Sequence, residues 1–266
     1  MAQTRVAVHG ALGRMGRTVM DAVAADPDLE LVGGADRDAD GSQAELANGV
    51  RVPVSAALEE TLERTNPQVL VDFTNASAAM EAIRSATRRG VAVVSGSTGL
   101  SGSDLEEAEQ LALSREVGVI SAPNFALGAV LLMHLARIAS KYFDYADVLE
   151  SHHEAKVDAP SGTALAIARA MVEGHGGAFR HNVTEKETLA GTRGGDFEGI
   201  NVHSARMPGR VASHSVVFGA AGQTLSLVHD SINRESFMPG VILATKRVIE
   251  TRGLTVGLDK VLGLSG

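Results

Sequence analysis

The sequence predicts an α/β protein: a parallel sheet with flanking helices in the first half, then a smaller α+β domain built on a mixed sheet. Three observations predict it. Short apolar runs ending in small or polar residues alternate with helical patterns up to Phe125, as a parallel sheet with a ligand across its strand tips requires. Aromatic content is 3%, tryptophan is absent and glycine occurs 29 times, so the core is Val, Leu, Ala and Ile with many tight turns. Beyond Gly199, alternating segments are separated by Pro208-Gly209 and Ala221-Gly222, as in antiparallel strands with one face covered.

The first expected strand, Thr4–His9, runs into Gly10-Ala11-Leu12-Gly13-Arg14-Met15-Gly16. A helix follows with Met15, Val19, Met20 and Val23 on one face and stops near Pro27; Leu29–Gly34 is a second strand, ending at Asp36. Strand, glycine loop, helix, strand and acid is the order of a dinucleotide-binding unit of the Rossmann type. Glycines let backbone amides approach a pyrophosphate, and the helix start directs its unpaired N–H groups and positive dipole end at the same phosphates. The spacing is G-x-x-G-x-x-G with Leu12 in the usual place of a middle glycine, so the loop alone also reads as a tight turn. Asp36, twenty residues beyond Gly16, is suited to accept hydrogen bonds from an adenosine ribose and favours NAD. Arg37 and Arg14 are either solvated turn charges or compensation for a 2′-phosphate, which keeps both NADH and NADPH as expected cofactors.

Gln68–Phe73 reads as a strand whose Asp72-Phe73-Thr74 end approaches the cofactor, Ala76–Arg89 as a helix, and Val91–Ser95 as a strand entering Gly96-Ser97-Thr98-Gly99. That loop is either a flexible turn or a contact to the nicotinamide carboxamide. The strand Gly118–Ala122 meets Pro123-Asn124-Phe125, and the apolar helix Leu127–Lys141 marks a domain boundary. Asp144–Ser151 is a strand, Thr163–Gly174 an alanine-rich helix and Gly191–Asp196 a mobile or exposed loop. Ile200–Arg206, Ser213–Gly219 and Thr224–Asp230 are the alternating strands, and Pro239–Arg252 a last helix that returns to the first domain. The expected division is 1–125 for dinucleotide binding, 126–236 for substrate and assembly, and 237–266 for the returning segment.

Between the two halves, Glu150 to Ala164 reads E-S-H-H-E-A-K-V-D-A-P-S-G-T-A. His153 and Lys156 are three residues apart, close enough in a helical turn or compact loop to face one anion. Pro160 fixes the backbone before Ser161-Gly162-Thr163, which open a helix whose free N–H groups form a second anion cradle. A small dicarboxylate satisfies both features, and a histidine desolvated beside an anion gains affinity for its proton and can act as an acid. The bland alternative is a pair of surface or structural histidines. No metal is expected: Glu150, His152, His153 and Asp158 supply donors, but Lys156 among them repels a cation and the spacing matches no ligand pattern.

Composition narrows the class further. The absence of cysteine excludes disulfides, thiolate zinc, iron–sulfur clusters and a cysteine nucleophile. A net charge of −8 with no basic block argues against nucleic acid as the main partner. No run reaches the length of a membrane span and no signal peptide is apparent, so a cytoplasmic protein with no membrane partner is expected.

With these motifs the chain resembles 4-hydroxy-tetrahydrodipicolinate (dihydrodipicolinate) reductase, through V-x-V-x-G-A-L-G-R-M-G at Val6 to Gly16, V-D-F-T at Val71 to Thr74, G-S-T-G at Gly96 to Gly99, A-P-N-F at Ala122 to Phe125, and the specific run from Glu150 to Ala164. The resemblance implies a nicotinamide-dependent reductase of the diaminopimelate route to lysine, assembled as a homotetramer through its second domain. It also implies Gly10, Ala11, Leu12, Gly13, Arg14, Met15 and Asp36 at the dinucleotide, with Phe73, Gly96, Ser97, Thr98, Ala122, Pro123, Asn124 and Phe125 toward its nicotinamide end. His153, Gly162 and Thr163, with Ser161 at the helix start, then fall to substrate carboxylates, and His152 and Lys156 to proton transfer. Two departures stand out: Ser97 where the family often has threonine, and Glu154-Ala155 in place of a more basic pair, which weakens attraction for an anion.

Overall fold

The computed structural model describes residues 2–41 and 43–264. In chain order the strands are β1 (Thr4–His9), β2 (Leu29–Ala35), β3 (Gln43–Glu45), β4 (Arg51–Ser55), β5 (Val69–Asp72), β6 (Ala92–Ser95), β7 (Gly118–Ser121), β8 (Tyr145–His152), β9 (Gly195–Phe197), β10 (Ile200–Arg206), β11 (Ala212–Ala220), β12 (Gln223–Ser231) and β13 (Gly253–Val256). The helices are α1 (Arg14–Ala25), α2 (Leu58–Thr65), α3 (Ala76–Arg88), α4 (Gly102–Ser114), α5 (Leu127–Ala139), α6 (Gly162–His175), α7 (Met238–Val248) and α8 (Leu258–Val261). They form two compact units, one from residues up to Phe125 together with those from Phe237 onward, the other from Ala126–Ser236.

The first unit holds a sheet of order β13-β7-β6-β5-β1-β2-β4-β3, parallel throughout except for the β3–β4 pair. After β1 the chain builds outward through β2 on one side and later through β5 on the other, so the order reverses at β1 and opens a crevice at its carboxyl end. β5, β6 and β7 are buried along their whole length. That is why they read as continuous apolar runs without alternation. One face packs Leu70, Val93 and Val119 on Met80 and Ile83 of α3 and Ala108 and Ala112 of α4. Asn75 caps α3 by accepting from the Ala78 N–H at 3.2 Å, and Ser101 with Asp104 closes a capping box on α4.

The second unit is a sheet of order β12-β11-β8-β10-β9 covered on one face by α5 and α6. Period-two alternation sends Ala146 and Val148 of β8, Ile200 and Val202 of β10, and Val216 and Phe218 of β11 into a core with Ile167 and Met171 of α6. Burying a side chain such as Phe218 contributes about 2–3 kcal/mol.

Several local expectations change. β10 runs parallel to β8, while the β9–β10, β8–β11 and β11–β12 pairs are antiparallel, because α6 and the following loop carry the chain back across the sheet before β10 begins. The expected loop Gly191–Asp196 runs into β9, which pairs with β10. The last helix ends at Val248, earlier than Arg252, and the chain then adds β13 beside β7 and the short α8. α5 ends at Ala139 and tightens into a 3-10 turn at Ser140–Tyr142.

Candidate active site

In the first unit the loop after β1 is fixed before any ligand is considered. The Gly10 and Ala11 amides donate to Ala35 O at 2.9 and 3.1 Å, Leu12 N–H donates to Asp36 Oδ2 at 2.8 Å, and Gly13 N–H returns to Gly10 O at 3.1 Å. Those four amides are spent on the loop itself. The first turn of α1 leaves the amides of Arg14, Met15 and Gly16 without an acceptor among the described residues, so the anion cradle lies one residue further on than the glycine run suggests. Two glycines are required sterically. Gly10 has φ +77° and an added Cβ would lie 2.8 Å from Phe73 O, while a Cβ on Gly16 would collide with the Gly10 carbonyl.

Beside this cradle is a cleft of about 580 Å³ bordered by Gly10, Leu12, Gly13, Arg17, Asp36, Arg37 and Phe73. Asp36 is almost wholly buried; besides Leu12, it accepts from Asp38 N–H at 3.1 Å. Each carboxylate oxygen holds one backbone donor and keeps capacity for another. The Arg37 side chain is 89% exposed and Arg14 is exposed. Arg17, which the sequence reading passed over, also borders the cleft, with Nε donating to Leu12 O at 3.1 Å. Its only sequence signal was its place one turn along a helix that starts at a phosphate-type loop.

The strand tips converge on Asp72, which faces inward to the protein and is fully buried. Its Oδ1 accepts from His9 Nδ1 at 2.9 Å and Thr74 Oγ1 at 2.7 Å; its Oδ2 accepts from Ser95 Oγ and Ser97 Oγ, both at 2.8 Å. Ser97 Oγ accepts in turn from Thr74 N–H at 2.9 Å. Ser97 is therefore committed to the loop's interior, whereas Thr98 is exposed. Phe73 packs on Phe125 with ring centroids 5.8 Å apart, and a Cβ on Gly96 would collide with the Phe73 ring. Ala122 and Phe125 are buried supports; Pro123 and Asn124 reach the surface.

In the second unit the histidine segment is not one compact turn. His152 ends β8 and is buried, and His153 is the first exposed residue beyond it. His152 lies on the same face as Glu150, two residues earlier, and opposite Arg206 on β10. The apolar core that begins with Ala146 and Val148 thus ends in charge. Arg206 clamps Glu150 with two parallel hydrogen bonds, Nη1 to Oε2 at 3.0 Å and Nη2 to Oε1 at 2.8 Å. His152 Nδ1 is 2.5 Å from Glu150 Oε2. Across the sheet, His214 stands opposite Glu150, with its ring edge-on to His152 at 5.3 Å between centroids and Nε2 3.3 Å from Ser161 Oγ.

Burial is the largest influence on Glu150 and by itself would raise its carboxyl, but hydrogen bonds from Arg206, Ser204 and His152 together hold it below the usual carboxylate range. Burial lowers the His152 imidazole, outweighing the Glu150 carboxylate that favours its proton, and Lys156 and Arg206 push it the same way. Burial, assisted by His152, His229 and Lys156, pushes His214 down to about 4 against the opposing pull of Glu150. An ionised Glu150 only accepts, so Nδ1 of a neutral His152 carries the proton and Nε2 keeps its lone pair.

Lys156 does not meet His153 as an anion-facing pair. Its N–H closes a turn on His153 O at 3.1 Å and its ammonium sits on Asp158 Oδ1 at 2.6 Å. Ser161 is spent internally: its N–H donates to Glu150 Oε1 at 3.3 Å and its Oγ caps α6 by accepting from Ala164 N–H at 3.1 Å. It is buried, as a residue supporting the helix start. Gly162 and Thr163 are the first two residues of α6; the Gly162 N–H faces the Asp158 carboxylate, the Thr163 N–H has no acceptor among the described residues, and nothing lies within 4 Å of where a Gly162 Cβ would be. Glu150, Arg206 and His214 were absent from the sequence-level site. Their signal was the period-two continuation of the core strands, in which Glu150 and His152 follow Val148, and Arg206 follows Val202 and Ser204.

A doubly wound parallel sheet with its order reversal, glycine loop and acid-ended second strand defines a nicotinamide dinucleotide-binding oxidoreductase of the Rossmann type. Two family models match, "Dihydrodipicolinate reductase, N-terminus" over residues 4–125 and "Dihydrodipicolinate reductase, C-terminus" over residues 128–262. A 4-hydroxy-tetrahydrodipicolinate reductase of Dehalococcoides mccartyi is 46% identical over 99% of this chain and 100% of its own. That of Syntrophomonas wolfei is 43% identical over 98% and 99%. A dipicolinate-bound dihydrodipicolinate reductase from Paenisporosarcina sp. TG-14 superposes with a TM-score of 0.87 at 37% identity, covering 97% of this chain and 99% of that one. The chain belongs to the 4-hydroxy-tetrahydrodipicolinate reductase family, oxidoreductases of lysine biosynthesis.

Proposed function

We propose that the protein reduces the cyclic imine derived from 4-hydroxy-2,3,4,5-tetrahydrodipicolinate to tetrahydrodipicolinate, releasing water and consuming NADH or NADPH, in the diaminopimelate route to lysine. The observation that carries this reading is the gathering of His152, Lys156 and the first turn of α6 at the end of one sheet, in a chain of this family. Gly162 and Thr163 bind one substrate carboxylate through their amides and the positive end of α6, and the exposed imidazole of His153 serves the other.

The first unit fits a dinucleotide: three amides at Arg14, Met15 and Gly16 that are unpaired among the described residues, a cleft beside them, and Asp36 with acceptor capacity for ribose hydroxyls. Gly10, Ala11, Leu12 and Gly13 shape that cradle. Arg14 and Arg37 are exposed, Arg37 with only an exposed Asp38 3.8 Å from its Nε, and both are within the loop region where a 2′-phosphate would lie, which supports use of both cofactors. Phe73, Gly96, Thr98, Pro123 and Asn124 serve the nicotinamide end, with Ser97, Ala122 and Phe125 supporting them from inside. When bound, the dihydronicotinamide supplies the hydride. Lys156, released from Asp158, gives a proton to the nitrogen side of the conjugated system, and neutral His152 orients it by accepting at Nε2.

We further propose a cytoplasmic homotetramer. Its support is the sheet face away from α5 and α6, which exposes Leu149 (44%) and Val228 (61%). No helix among the described residues is long and apolar enough to cross a membrane.

The test forms the cyclic substrate in situ from pyruvate and aspartate semialdehyde and follows cofactor absorbance. Lys156→Ala and His152→Ala are expected to lower kcat by about a hundredfold or more while leaving the dissociation constant for NADH within about twofold. Near-normal turnover in both variants would sink the assignment.

A further inference from the structure

The mechanism proposed above uses His152 and leaves the buried charges behind it without a task. Glu150 is buried at 3% exposure, and Arg206 holds both of its oxygens. The same Oε2 meets His152 Nδ1 at 2.5 Å. The backbone joins in, since Met207 N–H donates to His152 O at 3.1 Å and the Ser161 N–H reaches Glu150 Oε1. We propose that Glu150, clamped by Arg206, is a positioning residue that keeps the proton of His152 on Nδ1, so that Nε2 is the nitrogen offered to the substrate and to Lys156.

The carboxylate is well built for that task. Two guanidinium hydrogen bonds fix its plane, so it cannot rotate away from the imidazole, and the positive charge of Arg206 keeps it ionised inside the protein. An ionised carboxylate has no proton to give, so only one neutral tautomer of His152 makes the bond. The other groups facing the ring favour an uncharged imidazole. Arg206 comes from β10, Lys156 from the following turn, and His214 from β11, itself hydrogen-bonded to Ser161. His152 Nε2 makes no hydrogen bond among the described residues and is not one of their buried unpaired atoms, so it is the open edge of the ring. This logic is the carboxylate–imidazole arrangement of acid–base enzymes, in which the buried acid sets tautomer and orientation and is not itself protonated.

The inference rests on the proposed role of His152, and its test separates the two. In the full-length protein labelled with ¹⁵N-histidine, long-range ¹H–¹⁵N correlation reads the tautomer of His152 directly, with His152→Asn identifying its signals. The wild-type ring is expected neutral at pH 7 with the proton on Nδ1; a charged ring or an Nε2–H tautomer overturns the proposal without any mutation that could disturb folding. In Glu150→Gln the tautomers are expected to mix and kcat to fall by about tenfold to a hundredfold, with the KM for NADH unchanged. An unchanged tautomer and kcat in that variant overturns the proposal as well. Wild-type protein that fails to turn over the cyclic substrate overturns the functional reading instead, and the tautomer measurement is unaffected by that result.

Discussion

Removing the Asp72 carboxylate is expected to loosen the tips of three adjacent strands at once. In Asp72→Ala four donors lose their acceptor: His9 Nδ1, Thr74 Oγ1, Ser95 Oγ and Ser97 Oγ. They do not count equally. The His9 side chain is 15% exposed and can reach water, and Thr74 Oγ1 has an alternative acceptor in Asn75 O at 3.4 Å. Ser95 is buried and has none among the described residues, and Ser97, also buried, has only Thr74 Oγ1 at 3.5 Å. One buried donor left unpaired and a second held by a long bond cost about 1–3 kcal/mol each, partly offset because a buried charge no longer has to be desolvated. The expected loss is about 2–4 kcal/mol. Asp72→Asn should lose only about 1–2 kcal/mol, since a serine hydroxyl can rotate to accept from the new amide.

Urea unfolding followed by far-ultraviolet circular dichroism measures the first effect. Because two units can unfold separately, hydrogen exchange at β5 and β6 is the companion measurement that assigns the loss to the first unit. Calorimetric titration with NADH reads the second effect: freeing Ser97 lets the Gly96–Thr98 loop move, and an ordering cost of about 1.4 kcal/mol weakens binding about tenfold. If Asp72→Ala unfolds within about 0.5 kcal/mol of wild type and binds NADH normally, the carboxylate is not the anchor of the strand tips.

Two more outcomes follow from the second unit. His214 is 3% exposed and its pKa is held at about 4 from an ordinary 6.5, so it stays neutral in the folded protein where the unfolded chain takes up a proton. The stability it contributes is complete above pH ~6.5 and is lost as pH falls to about 4, amounting to about 3 kcal/mol; His152 and His229, also lowered, steepen the same slope. His214→Gln should flatten the difference in urea midpoint between pH 7 and pH 4.5, and an unchanged slope contradicts this account. Ser161→Ala removes the acceptor for Ala164 N–H and should cost about 1 kcal/mol of stability. It should also raise the KM for the cyclic substrate several-fold by letting the Gly162 and Thr163 amides fray, whereas an unchanged KM would mean that the cap does not hold the cradle.

Elements whose pattern is local were legible in the sequence. β1, α1 and β2 follow from an apolar run, a glycine loop and a one-faced helix, and the start of α6 from Pro160-Ser161-Gly162-Thr163. What depends on partners far along the chain was not. β13 is four residues that become a strand only because β7 offers a free edge, and β9 is three residues that need β10. The same reason hid half of the charged cluster. His152 and Lys156 lie within one striking motif, but Arg206 and His214 reach Glu150 from strands 56 and 64 residues away in sequence. His152 and His153 are adjacent in the motif, yet strand alternation sends one inward and leaves the other at the surface, a difference that their separate expected roles require.

The Glu150–Arg206 pair is not explained by stability. A buried ion pair recovers little more than the desolvation of its two charges, and apolar residues of similar volume in the same place are often neutral or better. The neighbouring positions on the same sheet face show that alternative already in use: Val148, Val202 and Val216 fill it with carbon and carry no desolvation cost. The face changes from apolar to charged only at the last two inward positions of β8, where the strand delivers His152 to the mouth of α6. A neutral imidazole placed there without a carboxylate behind it would divide its proton between two nitrogens and its ring between two orientations. With the carboxylate fixed by a two-pronged guanidinium, one tautomer and one ring plane remain. The cost of burying the pair therefore converts into the definition of a single acceptor atom, Nε2, which is what the proposed proton transfer shared with Lys156 requires and what a valine at position 150 could not provide.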